Sequence, residues 1–262
     1  MSASPPETAA PENASSERIP TRDGYGGVPR TAARTLEIIA AVLAALGIFI
    51  IGTLIVSALD PSVADPDADT SDGGALGLQA IFEIGLAVAA IGAATIANRH
   101  GFRDGLRRLG LRKPSGPVVS TFFIALGTYV ASALVLTLLF TPEQKDIAES
   151  LGADSDSALW ITILAGILIA PVTAFCEEVF FRGLLFGGMR QRLPLWPAAI
   201  ASGIIFGALH LTAGDLAVAL QLSILGVIFA WSYERSGSLW VPISLHLLNN
   251  TIAFISLISD SV

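Results

Sequence analysis

Seven apolar blocks separated by polar or charged loops dominate the chain after residue 33. They run over 36–59, 76–97, 118–140, 158 past 175 into a charged motif, 195–211, 216–233 and 239–258. An α-helix needs roughly 20 residues to cross the hydrocarbon core. Blocks of this length predict an all-α, polytopic transmembrane bundle of about seven spans. The last four are joined by short connections, the tightest being Thr-Ala-Gly-Asp at 212–215. No repeat at a fixed period is visible. Residues 1–33 are rich in Pro, Ser, Ala and Gly and lack apolar periodicity, so they are expected to be a disordered tail. That tail has neither the short apolar core nor the small-residue cleavage pattern of a signal peptide.

Composition agrees with a bilayer. The chain is 53% hydrophobic and only 14% charged, against about a quarter charged in soluble domains. A nucleic-acid partner is not expected. The single cysteine, Cys176, leaves no intrachain disulfide to form. The net charge of −7 hides a segregation of signs. With the N-terminus cytoplasmic and the C-terminus outside, 14 of the 15 basic residues fall inside and only Lys145 falls outside. The inner loop 98–116 alone carries Arg99, Arg103, Arg107, Arg108, Arg112 and Lys113, whereas 60–74 and 142–157 are acidic. An odd number of spans is needed to keep this pattern. The basic loop reads as a topology signal lying near anionic headgroups.

Ionisable side chains inside spans are costly and mark functional sites by default. The fourth span ends in Glu177, Glu178 and Arg182, the fifth carries His210, the seventh His246 and Asn250, and the second Glu83. A turn at Pro194 would make the fourth and fifth spans antiparallel. Glu177 lies 17 residues before that proline and His210 lies 16 after it, so both stand about 25 Å from the turn. His246 lies 9 residues beyond Gly237, the expected turn before the seventh span. It reaches their level only if the fourth helix projects past the membrane face, with Pro171 as its place to kink. Residues four apart share a helix face, which pairs Glu178 with Arg182 and His246 with Asn250. Glu177, about 100° away from Glu178, is left to face the two histidines.

A carboxylate, two imidazoles and an amide converging in a membrane pocket suggest two routes to amide hydrolysis. Glu177, His210 and His246 could hold a catalytic Zn2+ with an open water position. Alternatively, Glu177 and His210 could activate water directly while His246 and Asn250 donate to the oxyanion. The residues leave both routes open.

The segments Glu177–Arg182 (EEVFFR), Phe206–His210 (FGALH) and His246–Asn250 (HLLNN) resemble the EExxxR, FxxxH and HxxxN motifs of the CPBP intramembrane proteases. That family includes Rce1-type CAAX prenyl endopeptidases and bacterial Abi proteins. The three motifs occur in family order across roughly 155–255. The resemblance implies a catalytic set of Glu177, His210, His246 and Asn250, with Glu178 and Arg182 accessory. It implies a site open to the cytosolic side, and family members are described both as zinc enzymes and as metal-independent glutamate hydrolases. The expected organisation is then a tail over 1–33, amino-terminal helices and loops over 34–154, and a CPBP-like catalytic unit over 155–258.

This reading makes the chain a multi-pass endopeptidase cutting a peptide or membrane-protein substrate near the cytoplasmic face. Thirteen arginines against two lysines, with abundant Ala and Gly, point to a GC-rich bacterium. That places the chain in a bacterial plasma membrane and leans away from a prenylated substrate. Two rivals remain at this stage. An ion- or proton-coupled carrier would predict duplicated halves with broken helices, and none is visible. A non-catalytic scaffold would predict vacant motif positions, and all are filled. Cys176 reads as a small buried residue, and Glu83, with no evident partner, is left outside the site.

Overall fold

The computed structural model describes residues 32–65, 71–96, 101–140, 159–211 and 216–260. All but the last two residues of the expected tail, the acidic segment 142–157 and the link 212–215 lie outside them. The described residues form a helical bundle without strands. Its helices are α1 (Ala32–Leu59), α2 (Asp72–Ile96), α3 (Phe102–Arg108), α4 (Val118–Leu139), α5 (Leu159–Met189), α6 (Leu195–Ala208), α7 (Leu216–Ser236) and α8 (Trp240–Asp260).

Five of these, α1 from Thr35 onward, α2, α4, α5 and α7, are long and apolar enough to cross a membrane. The chain is an integral membrane protein. Of the seven expected spans, α6 is a shorter apolar helix of 14 residues, about 21 Å long. The seventh, α8, has 21 residues and carries the polar HLLNN segment near its middle. Leu43, Leu54, Phe123, Leu134, Leu138 and Trp160 are among many large apolar side chains that face outward. In a bilayer that surface meets lipid, so its exposure costs nothing.

Small residues bring the helices close. Gly52 of α1 sits against Ile81 of α2, and Gly85 of α2 lies against Ile48. Between α6 and α7 the approach is tighter. A methyl group at Gly203 would stand 2.6 Å from the Ser223 carbonyl oxygen, and one at Gly207 would collide with Ala219 O and Ser223 Oγ. Gly203 and Gly207 form a Gly-x-x-x-Gly face of the kind that lets membrane helices touch backbone to backbone.

The second half of α5 is the centre of the bundle. Every side chain from Glu178 to Phe186 is buried, enclosed by α2, α6 and α7. Two stretches of α5, Leu168–Val172 and Glu178–Phe186, are wound as wider π turns. Pro171, which has no N–H to donate, falls within the first. Such turns concentrate at functional sites.

The basic loop has a structural role that its charge pattern does not reveal. Arg108 of α3 is buried, donating to Ala94 O at 3.2 Å and pairing with Glu37 of α1 at 3.4 Å. Beyond it, the backbone at 110–116 clamps the turn between α7 and α8. Leu239 N–H donates to Gly110 O (2.9 Å), and the Ser115 and Gly116 N–H groups donate to Ser236 O (3.0 Å each). Arg112 Nε donates to Gly237 O at 2.9 Å. Gly237 (φ +69°) and Gly110 (φ +97°) occupy the left-handed region that favours glycine. The clamp fixes where α8 begins, and with it the height of His246.

Candidate active site

Glu177 is the hub. It lies on α5 with its side chain buried, and both histidines point at it from other helices. His210 Nε2, just past the end of α6, is 3.8 Å from Glu177 Oε1, and His246 Nε2 on α8 is 3.6 Å from Oε2. Each ring is oriented by its other nitrogen. His210 Nδ1 lies 2.8 Å from Phe206 O. A carbonyl only accepts, so Nδ1 carries the proton and the neutral ring presents a bare Nε2 to Glu177. His246 Nδ1 lies 3.0 Å from Glu178 Oε1, which likewise makes it the donor.

Glu178 therefore has two partners. Arg182 Nη1 donates to the same Oε1 at 2.6 Å, with both side chains fully buried. The guanidinium stacks over Phe206 (4.3 Å to the ring centre) and Phe229 (5.0 Å). Phe206 in turn packs against His210, ring centres 4.8 Å apart. Gly226 makes room for this arginine, because a methyl group there would stand 3.2 Å from Arg182 Nη2. A continuous chain of contacts thus runs from Arg182 through Glu178 and His246 to Glu177.

Asn250 lies one turn beyond His246 on α8. One of its amide hydrogens goes to Ile169 O at 2.9 Å, at the first wide turn of α5, and its oxygen accepts from Asn249 at 3.1 Å. An asparagine amide has two hydrogens, so a second donor remains beside the cavity.

Glu177, His210, His246 and Asn250 line a cavity of about 880 Å³ bounded by α2, α4, α5, α6, α7 and α8. Sequence reasoning overlooked several of its features. Glu83, left outside the site for want of a partner, lines the cavity and is almost fully buried. The Tyr129 hydroxyl on α4 accepts from Gln221 of α7 at 3.2 Å across the same space. The Gly203/Gly207 spacing was a readable signal for the α6–α7 contact that carries His210. Glu83 had no such signal, since its neighbours come from distant helices.

Two imidazoles and a carboxylate are donor types that zinc accepts. Among the described residues, however, no three His, Cys, Asp or Glu side chains are grouped to hold a metal ion. The imidazoles approach different oxygens of Glu177 rather than a common point. As placed, the set does not fit an ion, and the chemistry followed below runs through the side chains.

Residues 158–252 match the family described as Rce1-like, type II CAAX prenyl endopeptidase Rce1-like. Among curated proteins, a Bacillus subtilis (strain 168) protein described as "Putative membrane peptidase YdiL" is 28% identical over 137 residues, 52% of this chain and 54% of that protein. An Escherichia coli protein described as "Uncharacterized 24.3 kDa protein" is 26% identical over 129 residues, 48% of this chain and 58% of that one. YyaK of Bacillus subtilis is 26% identical over 140 residues, 50% of this chain and 45% of its own length. The chain spans about half the length of the curated relatives it matches. No solved structure matches.

Proposed function

We propose that the chain, whose residues 158–252 match the Rce1-like family, is an intramembrane endopeptidase in which Glu177 and His210 activate water. The observation that carries this reading is the convergence of two ring-locked Nε2 atoms on opposite oxygens of one buried carboxylate. A histidine serving only as interhelical glue has no need of that arrangement.

The gap of 3.8 Å between Glu177 Oε1 and His210 Nε2 is too long for a direct hydrogen bond. It suits a water that donates one proton to each. As the water oxygen attacks a peptide carbonyl carbon, Glu177 takes one of its protons. The carbonyl oxygen, now an oxyanion, is met by the second Asn250 N–H and by the Nε2–H of His246 in its doubly protonated form, whose Nδ1–H stays on Glu178. Collapse of the tetrahedral adduct breaks the C–N bond. The proton held by Glu177 passes to the departing nitrogen, giving the amine, and the water's second proton, still on the acyl oxygen, passes to His210 Nε2 to leave the carboxylate product. Glu178 and Arg182 act by holding His246 in place. The substrate is a peptide or membrane-protein segment entering from the cytoplasmic side of a bacterial plasma membrane, and the curated relatives named above are bacterial.

The test is hydrolysis of a quenched lipopeptide panel, with and without a prenyl group, by purified protein in nanodiscs. Metal content is measured in the same preparations. Glu177→Gln and His210→Ala should each lower kcat by about 10²- to 10⁴-fold. Wild-type rates in Glu177→Gln would sink the mechanism. Activity lost on chelation and restored by Zn2+ would move it to a metal route.

A further inference from the structure

Resting on the endopeptidase reading, we propose that Glu83 and Gln79 of α2 form a subsite for a cationic substrate side chain, a lysine ammonium or an arginine guanidinium, about one helical turn from the scissile bond. Glu83 is 1% exposed. Its Oε1 accepts from Gln79 Nε2 at 2.9 Å, while its buried Oε2 has only the nearby Thr173 hydroxyl to turn to, and that hydroxyl donates to Leu168 O at 3.0 Å instead. Glu83, Gln79 and Thr173 all line the cavity that contains Glu177. A carboxylate that only held helices together would be expected to have both oxygens satisfied.

The charge inventory of the cavity points the same way. Among the described residues its lining includes Glu83 and Glu177 but no lysine or arginine. The nearby Arg182 is engaged by Glu178, and the other buried arginines, Arg108 and Arg190, face Glu37 and Glu234. Two buried carboxyl groups with no basic side chain beside them in the lining leave the chamber able to meet a cation brought by the ligand, which would draw a carboxylate into its charged form. The absence of a three-ligand metal group among the described residues favours an organic cation over a metal ion.

Distance assigns the place. Thr173, which lies beside Glu83, precedes Glu177 by four residues on the same face of α5, about 6 Å along the helix. An extended peptide advances roughly 3.3–3.6 Å per residue. The cation therefore belongs to a residue about two positions from the bond that is cut. Phe82 and Ile169 also line the cavity, and they suit the aliphatic stem of lysine.

The experiment uses the full chain in nanodiscs and lipopeptides carrying one lysine, walked through three positions on each side of the cleaved bond. Each peptide is paired with its neutral acetyl-lysine counterpart. At one position the wild type should favour lysine by about tenfold or more in kcat/KM, mainly through KM, as expected for a hydrogen-bonded charge. Glu83→Gln should bring that ratio near one, and Glu83→Asp should keep part of it. A wild-type ratio near one at every position, or an undiminished ratio in Glu83→Gln, overturns the subsite. Melting midpoints report whether each variant folds, and if Glu83→Gln does not fold, an undiminished ratio in Glu83→Asp overturns the subsite.

Fluorescein-labelled versions of the same peptides, read by anisotropy, separate this inference from the one beneath it. Lysine-selective binding that depends on Glu83 without any cleavage keeps the subsite and sinks the endopeptidase. Cleavage without lysine preference does the reverse. Neither binding nor cleavage overturns both.

Discussion

Breaking one half of the Glu178–Arg182 pair should be far more damaging than removing both halves. The two groups are 2.6 Å apart and fully buried. Arg182→Met would leave the Glu178 carboxylate in the core with only the His246 N–H as partner. Glu178→Gln would leave a guanidinium whose Nε and Nη2 already lack acceptors and rely on ring faces. Removing one partner of a buried pair typically costs about 3–5 kcal/mol, whereas replacing both is often neutral or stabilising. Total stabilities are about 5–15 kcal/mol, so each single variant should be close to unfolding. The double variant Glu178→Gln/Arg182→Met should lie within about 1 kcal/mol of wild type, because methionine can fill the space between Phe206 and Phe229. The amide oxygen that Glu178→Gln introduces can still accept from His246 Nδ1, so the double variant should retain measurable peptide cleavage if the lipopeptide assay succeeds. Unfolding by increasing SDS mole fraction in mixed micelles, read by tryptophan fluorescence, gives the double-mutant cycle. Single variants losing less than about 1 kcal/mol would mean the pair behaves like an exposed one. A double variant as unstable as the sum of the singles would refute the coupling.

Two further outcomes test the scaffold. Gly207→Ala places a methyl group against Ala219 O and Ser223 Oγ, forcing α6 off α7 at a stability cost of about 1–3 kcal/mol. Because His210 rides on that helix end, kcat should fall by tenfold or more, since a shift of about 1 Å can cost 10²-fold; an unchanged kcat would show that the contact does not position His210. Asn250→Ala strips Ile169 O of its side-chain donor and should cost about 1–3 kcal/mol while also lowering kcat, and a melting midpoint equal to wild type would remove its structural half.

The helical class and most helix positions were legible because apolar blocks of membrane length leave few alternatives. Spacing also indicated that Glu178 shares a face with Arg182 while Glu177 turns toward the histidines, which is how the three side chains lie in the structure. Spacing could not reveal that Glu178 also holds His246, because that contact joins α5 to α8. Glu83 was hidden for the same reason. Its relevance comes from what α5 and α8 place around it, and nothing on α2 except Gln79 announces it. The loop 109–116 was read through its charges alone, whereas its role in the fold lies in backbone donors and acceptors that carry no compositional mark.

The wide turns of α5 have a consequence for how such chains diverge. A π turn holds one more residue than the α turn it replaces, so it acts as an insertion absorbed without breaking the helix. Losing one residue between Leu168 and Val172 would let the turn close to an ordinary α turn, with the helix on either side held in its present relation. Relatives that lack this turn would need a gap inside a transmembrane helix to bring their glutamates into register with Glu177, where gaps are ordinarily penalised most. A single-residue deletion in this stretch should accordingly be tolerated better than one in the α-wound Leu159–Ile167, where each residue lost turns the preceding helix by about 100°.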